Sequence, residues 1–108
     1  AWARARARWA TGRLAEAESL LAAADVDAAP FEVRAYARVA RALVADRQGE
    51  RAEAVGRYRA AAAYLEEHST YDAPFVVAPL REWIRTGLAA SPTNAAMPAM
   101  PDLQNVPR

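Results

Sequence analysis

Arginine is the residue type whose spacing in this chain carries the most chemistry. Arg34, Arg38 and Arg41 stand at intervals of four and three, and the four-residue interval recurs in Arg81 and Arg85 and in Arg4 and Arg8. On a helix such intervals put side chains on one face. A guanidinium can take a carboxylate through two parallel N–H···O bonds, so a row of them suits a carboxylate terminus or an acidic peptide. The competing account of the same rows is a solvated helix face. All 14 basic residues are arginine, and alanine fills 30 positions. Codon pressure in a GC-rich bacterial genome produces both biases, which discounts any argument from arginine number alone.

Catalysis has little to work with. There is one histidine and no cysteine, and no nucleophile elbow, phosphate loop or His-Glu-x-x-His pattern. His68 follows Glu66 and Glu67 at the end of a predicted helix, where a cation beside the last carbonyls is the ordinary role. A metal would need more ligands than that neighbourhood offers. Glu50 and Glu53 lie on a helix surface near arginines, a poor setting for acid–base work. The chain therefore reads as a non-enzyme without cofactor or metal. With 13 acidic residues the net charge is +1, which disfavours nucleic acid and anionic membranes as partners. No run approaches the roughly 18 apolar residues of a membrane span. The lack of cysteine leaves the compartment open between cytoplasm and periplasm or beyond. The sequence opens at Ala1, without methionine and already helix-like, as an excerpt or processed product would.

Alanine favours helix almost throughout, and β-branched residues are few. Trp2, Ala5 and Trp9 form one stripe over residues 1–10, which Thr11 and Gly12 interrupt. Leu14, Ala17, Leu20, Leu21 and Ala24 then repeat at three and four over residues 13–24. Pro30 suits the first turn of a third helix running to about Asp46, with Val33, Tyr36, Ala37, Ala40, Leu43 and Val44 inward. Gly49 closes that helix through a positive φ. A fourth helix spans residues 50–67, with Ala54, Tyr58, Ala61, Ala62 and Leu65 as its buried stripe. Pro74 and Pro79 predict an irregular or kinked segment before a helix over residues 80–89. From Ser91 four prolines predict an extended tail. Trp2, Trp9, Trp83, Tyr36 and Tyr58 fall on packing positions. Tyr64, Tyr71 and Phe75 are less clearly buried and more credible as contacts.

Gly12, Ala17, Leu21 and Ala24 recur as Gly49, Ala54, Tyr58 and Ala61, each 37 residues later. A period in the thirties with two helices per unit marks a helical solenoid. The second unit resembles the tetratricopeptide repeat: glycine at the turn, then alanine, a large residue and alanine at spacings of five, four and three. Tyr36, Ala40 and Leu43 resemble the pattern of its first helix. Trp83 and Gly87 do so as well, with Ala90 in place of the last large residue, and Trp2 and Trp9 have the expected separation. The turn before Gly49 is longer than usual, the one before Gly12 shorter, and residues 70–79 are an insertion.

The resemblance implies an all-α solenoid of antiparallel helix pairs, about two and a half repeats over residues 1–90, with an extended tail over 91–108. It also implies that the first helix of each pair lines a concave groove, so that Arg34, Arg38, Arg41, Arg81 and Arg85 are the partner-binding residues. Glu16, Glu18, Glu50, Glu53, Glu66 and Glu67 sit on the second helices. The expected function is a protein–protein interaction or scaffolding module. The alternative is an accessory subunit of a larger assembly, a membrane-associated one included, docking through apolar end faces. Met97, Pro98, Met100, Pro101 and Leu103 in the tail make an extended apolar segment that would lie along a partner or the solenoid itself, and the competing account is a disordered terminus.

Overall fold

The computed structural model describes residues 2–68 and 74–89. These form five helices: α1 (Trp2–Ala10), α2 (Leu14–Ala24), α3 (Phe31–Arg47), α4 (Arg51–Glu67) and α5 (Pro74–Ala89). The described residues contain no strand, so the chain is all-α. The tail from Ser91, the side chains of Trp2 and Phe75, and Tyr71 lie outside the described residues.

Two turns share one construction. Gly12 and Gly49 have φ of 77° and 81°, values open to glycine because it lacks a Cβ. At the end of α1, Gly12 N–H donates to Trp9 O (3.0 Å) and Arg13 N–H to Arg8 O (2.8 Å). At the end of α3 the same pair recurs, Gly49 N–H to Asp46 O (3.1 Å) and Glu50 N–H to Ala45 O (3.0 Å). This is the Schellman closure, which satisfies the last carbonyls and reverses the chain. Thr11 adds its hydroxyl to Ala7 O and Arg8 O.

Each helix packs on the next, and α3 also touches α5. The centre is α3, buried on several sides: Tyr36, Ala37, Ala40, Leu43 and Val44 as the period predicts, but also Ala35, Val39, Ala42 and Ala45. Val33 is only partly buried. Ala17, Leu21 and Ala24 of α2 and Ala54, Tyr58, Ala61 and Leu65 of α4 fill the core, while Leu14, Leu20 and Ala62 of the same stripes are only partly buried. Trp9 is buried, with the Arg47 guanidinium 4.5 Å from its ring centre, and Trp83 meets Tyr36 edge-on at 5.7 Å. Fully burying one such aliphatic side chain contributes about 2 kcal/mol.

Of the two forms expected for the segment around Pro79, irregular or kinked, helix α5 corrects the first. It begins at Pro74, where the missing donor costs nothing, and runs through Pro79 as α-helix. One ring removes one intrahelical bond, and packing against α3 and α4 outweighs that loss. The far end of α5 is fixed by Arg51, which donates through Nη1 to Asp46 Oδ2 (2.8 Å) and Gly87 O (2.7 Å), and through Nη2 to Leu88 O (3.2 Å). Asp46 is buried, so its charge is taken up by this guanidinium and its other contacts.

Candidate functional site

Glu18 and Asp25 stand seven residues apart on α2 and at its C-terminal cap, and Arg34 and Arg41 stand seven apart on α3. The helices run antiparallel, so the two pairs meet in one register. Arg41 Nε donates to Glu18 Oε1 at 2.8 Å, and Arg34 Nε to Asp25 Oδ1 at 3.0 Å. Arg38, between them, has its Nε 3.2 Å from Asp25 Oδ2, an ion pair whose angle does not make a hydrogen bond. Its guanidinium carbon lies 4.2 Å from the centre of the Tyr64 ring, a cation–π contact that fixes the plane.

Arg57 completes the arrangement from α4. Its Nη1 donates to Glu18 Oε2 (3.1 Å) and to Arg41 O (3.1 Å), and its Nη2 to Glu53 Oε1 (2.7 Å). Hydrogen bonds from Glu50 and then from Arg57 hold the Glu53 carboxyl below the usual carboxylate range. Glu50 is pushed up in return by the bond and the charge it shares with Glu53. Both carboxylates are exposed, so the pair serves to orient Arg57 and has no enclosed space in which to act as acid and base.

Arg38, Arg41 and Arg57 surround a cleft of about 170 Å³ whose other walls are Asp25, Ala60 and Ala61. Carboxylates of α2 hold the Nε side of Arg38 and Arg41. Their terminal nitrogens have no hydrogen-bond partner among the described residues, and 31% of each side chain is exposed. Three guanidiniums and the Asp25 carboxylate line the cleft, with Glu18 and Glu53 bonded to Arg41 and Arg57. Ala60 and Ala61 keep it open because they project almost nothing into it. Guanidiniums held in this way can donate to a carboxylate through charge-assisted bonds at little cost in ordering.

The five arginines expected to bind a partner are therefore not brought onto one surface. Arg38 and Arg41 share the cleft. Arg34 lines a neighbouring one of about 570 Å³ with Asp27, Phe31, Glu32, Tyr64 and His68, and its Nη2 is 3.6 Å from Asp27 Oδ1. On α5, Arg81 reaches Glu66 at 3.6 Å and Arg85 pairs with Glu82, all exposed. The α3 arginines face α2 and α4, about half a helical turn away from Tyr36 and its contact with Trp83 on α5. Sequence reasoning missed Arg57 and Asp25. The signal was the equal seven-residue spacing of acids on α2 and bases on α3. Tyr64 is buried, enclosed by Phe31 (5.8 Å), His68 (4.2 Å) and the two arginines. His68 holds Tyr64 O through Nδ1 at 2.8 Å, closing the end of α4.

No known protein family, curated protein or solved structure matches this chain.

Proposed function

We propose that the chain is a protein-binding module of two and a half tetratricopeptide-like helix pairs, which works by docking an acidic partner rather than by catalysis. The repeat reading is supported by the identical glycine closures of α1 and α3, 37 residues apart, and by the burial of Ala17, Leu21 and Ala24 at positions equivalent to Ala54, Tyr58 and Ala61. The binding reading is carried by one observation. The Nε sides of Arg38 and Arg41 face the carboxylates of Asp25 and Glu18, their terminal nitrogens have no hydrogen-bond partner among the described residues, and both side chains line a cleft with Arg57. Bracing of that kind orients a bidentate donor towards a ligand carboxylate.

The contact thus lies between α2, α3 and α4, and Arg34, Arg81 and Arg85 act at most at its margin. The partner class is a protein segment with exposed aspartate or glutamate side chains, or a free carboxylate terminus. An accessory-subunit role through apolar end faces has less support, because Trp83 packs on Tyr36 instead of standing free.

Fluorescence anisotropy with a labelled glutamate-rich peptide tests this reading against its glutamine counterpart. Binding of the first alone, weakening with salt, is the expected result. Equal binding of both peptides, or of neither, contradicts a carboxylate-binding module.

A further inference from the structure

A larger cleft, about 480 Å³, opens between α1 and α2, lined by Arg4, Arg8, Ala15, Glu16, Ser19 and Leu20. It shares no lining residue with the Arg38–Arg41–Arg57 cleft. Arg4 and Arg8 lie four apart on one side of α1, and Ala15, Glu16, Ser19 and Leu20, spaced one, three and one, share a single face of α2.

Charge is unbalanced here. Arg8 Nε lies 2.9 Å from Glu16 Oε2, and Arg13 Nη1 lies 3.6 Å from the same oxygen. One carboxylate therefore serves two guanidiniums. Arg4 is exposed and has no ion-pair or hydrogen-bond partner among the described residues. The other acid of α2, Glu18, is already occupied by Arg41 and Arg57 on the far side of the helix. Beside the arginines, Ala15 and a partly buried Leu20 supply an aliphatic wall and Ser19 a hydroxyl.

We propose that this cleft is a second docking point, for an acidic-aliphatic segment of a protein partner. The segment's carboxylate bridges Arg4 and Arg8, and its aliphatic neighbour rests on Ala15 and Leu20. Nucleic acid suits the cleft less. Glu16 stands among the arginines and opposes a phosphate, and no aromatic side chain among the described lining residues offers a surface for a base. The proposal rests on its own residues and stands or falls apart from the α3–α4 cleft.

The test is an amide-resolved NMR titration of the ¹⁵N-labelled chain with a peptide of repeating Glu-Ala-Leu, beside Gln-Ala-Leu and single-stranded DNA. The Glu peptide is expected to shift Arg8, Ser19 and Leu20. Arg4→Ala should raise its Kd at that cleft about tenfold, one charge-assisted contact. Glu16→Gln should lower the Kd, because it releases Arg8 while removing only exposed ion pairs. Shifts confined to Ala60 and Ala61 overturn the second docking point and leave the first intact. No shift at either cleft, equal shifts with the Gln peptide, or tighter binding of DNA at Ser19 and Leu20 also overturn it.

Discussion

Glu18 grips Arg41 across the α2–α3 interface at 2.8 Å through one carboxylate oxygen, and with the other it takes Arg57 of α4 at 3.1 Å. One side chain thus ties three helices together beside the cleft. Glu18→Gln should cost about 1–3 kcal/mol of stability, since two partly buried guanidiniums lose their anion. It should also weaken binding of a glutamate-rich peptide, although it makes the site more positive. Thermal melts and anisotropy check this together. Tighter binding in the variant would mean that net charge, not orientation, governs the site.

Gly87 rests on the ring of Tyr58 with no room for a side chain. A Cβ there would fall 2.7 Å from both Cε1 and Oη, and nearer still to Cζ. Tyr58 is fully buried and cannot swing away without opening the α4–α5 contact. Gly87→Ala should therefore destabilise the fold by about 1–3 kcal/mol, despite the better helix propensity of alanine. Denaturant unfolding measures it.

The hydroxyl of Tyr58 is buried with no hydrogen-bond partner among the described residues. Tyr58→Phe should accordingly stabilise the chain by about 1 kcal/mol, the penalty of one unsatisfied hydroxyl. Burial, and then the Asp46 charge, push the Tyr58 phenol well above the usual range, and burial raises Tyr36 too. In the unfolded chain these phenols ionise near pH 10, whereas in the folded chain they keep their protons. The unfolded state then binds fewer protons, so stability is intact below about pH 10 and falls as pH rises beyond it. Tyr58→Phe should flatten that alkaline loss, read from melting temperature against pH.

Most of the helical frame was legible because its punctuation is local. Gly12 and Gly49 mark reversals that only a positive φ allows, and the alanine stripes give the inward faces. Pro79 misled because a single missing donor is a small local loss, and the packing that offsets it comes from α3 and α4. The arginine row on α3 was legible as a row. Its direction was not, since a helical period says which residues share a face but not which neighbour that face meets. Arg57 and Asp25 join the site only through tertiary pairing. Tyr64 looked less clearly buried for the same reason, its cover being Phe31, His68 and two arginines from α3.

The central claim is that Arg38 and Arg41 present a braced, bidentate pair of donors to a carboxylate. The most direct measurement is the affinity of a glutamate-rich peptide for the Arg38→Lys, Arg41→Lys double variant, beside Arg81→Lys, Arg85→Lys, with helicity followed by circular dichroism. Lysine keeps the charge but loses the planar fork. The account predicts a loss of about tenfold or more in the first variant, equivalent to about 1.4 kcal/mol, and wild-type affinity in the second. Wild-type affinity in the first variant, with its helices intact, would contradict it.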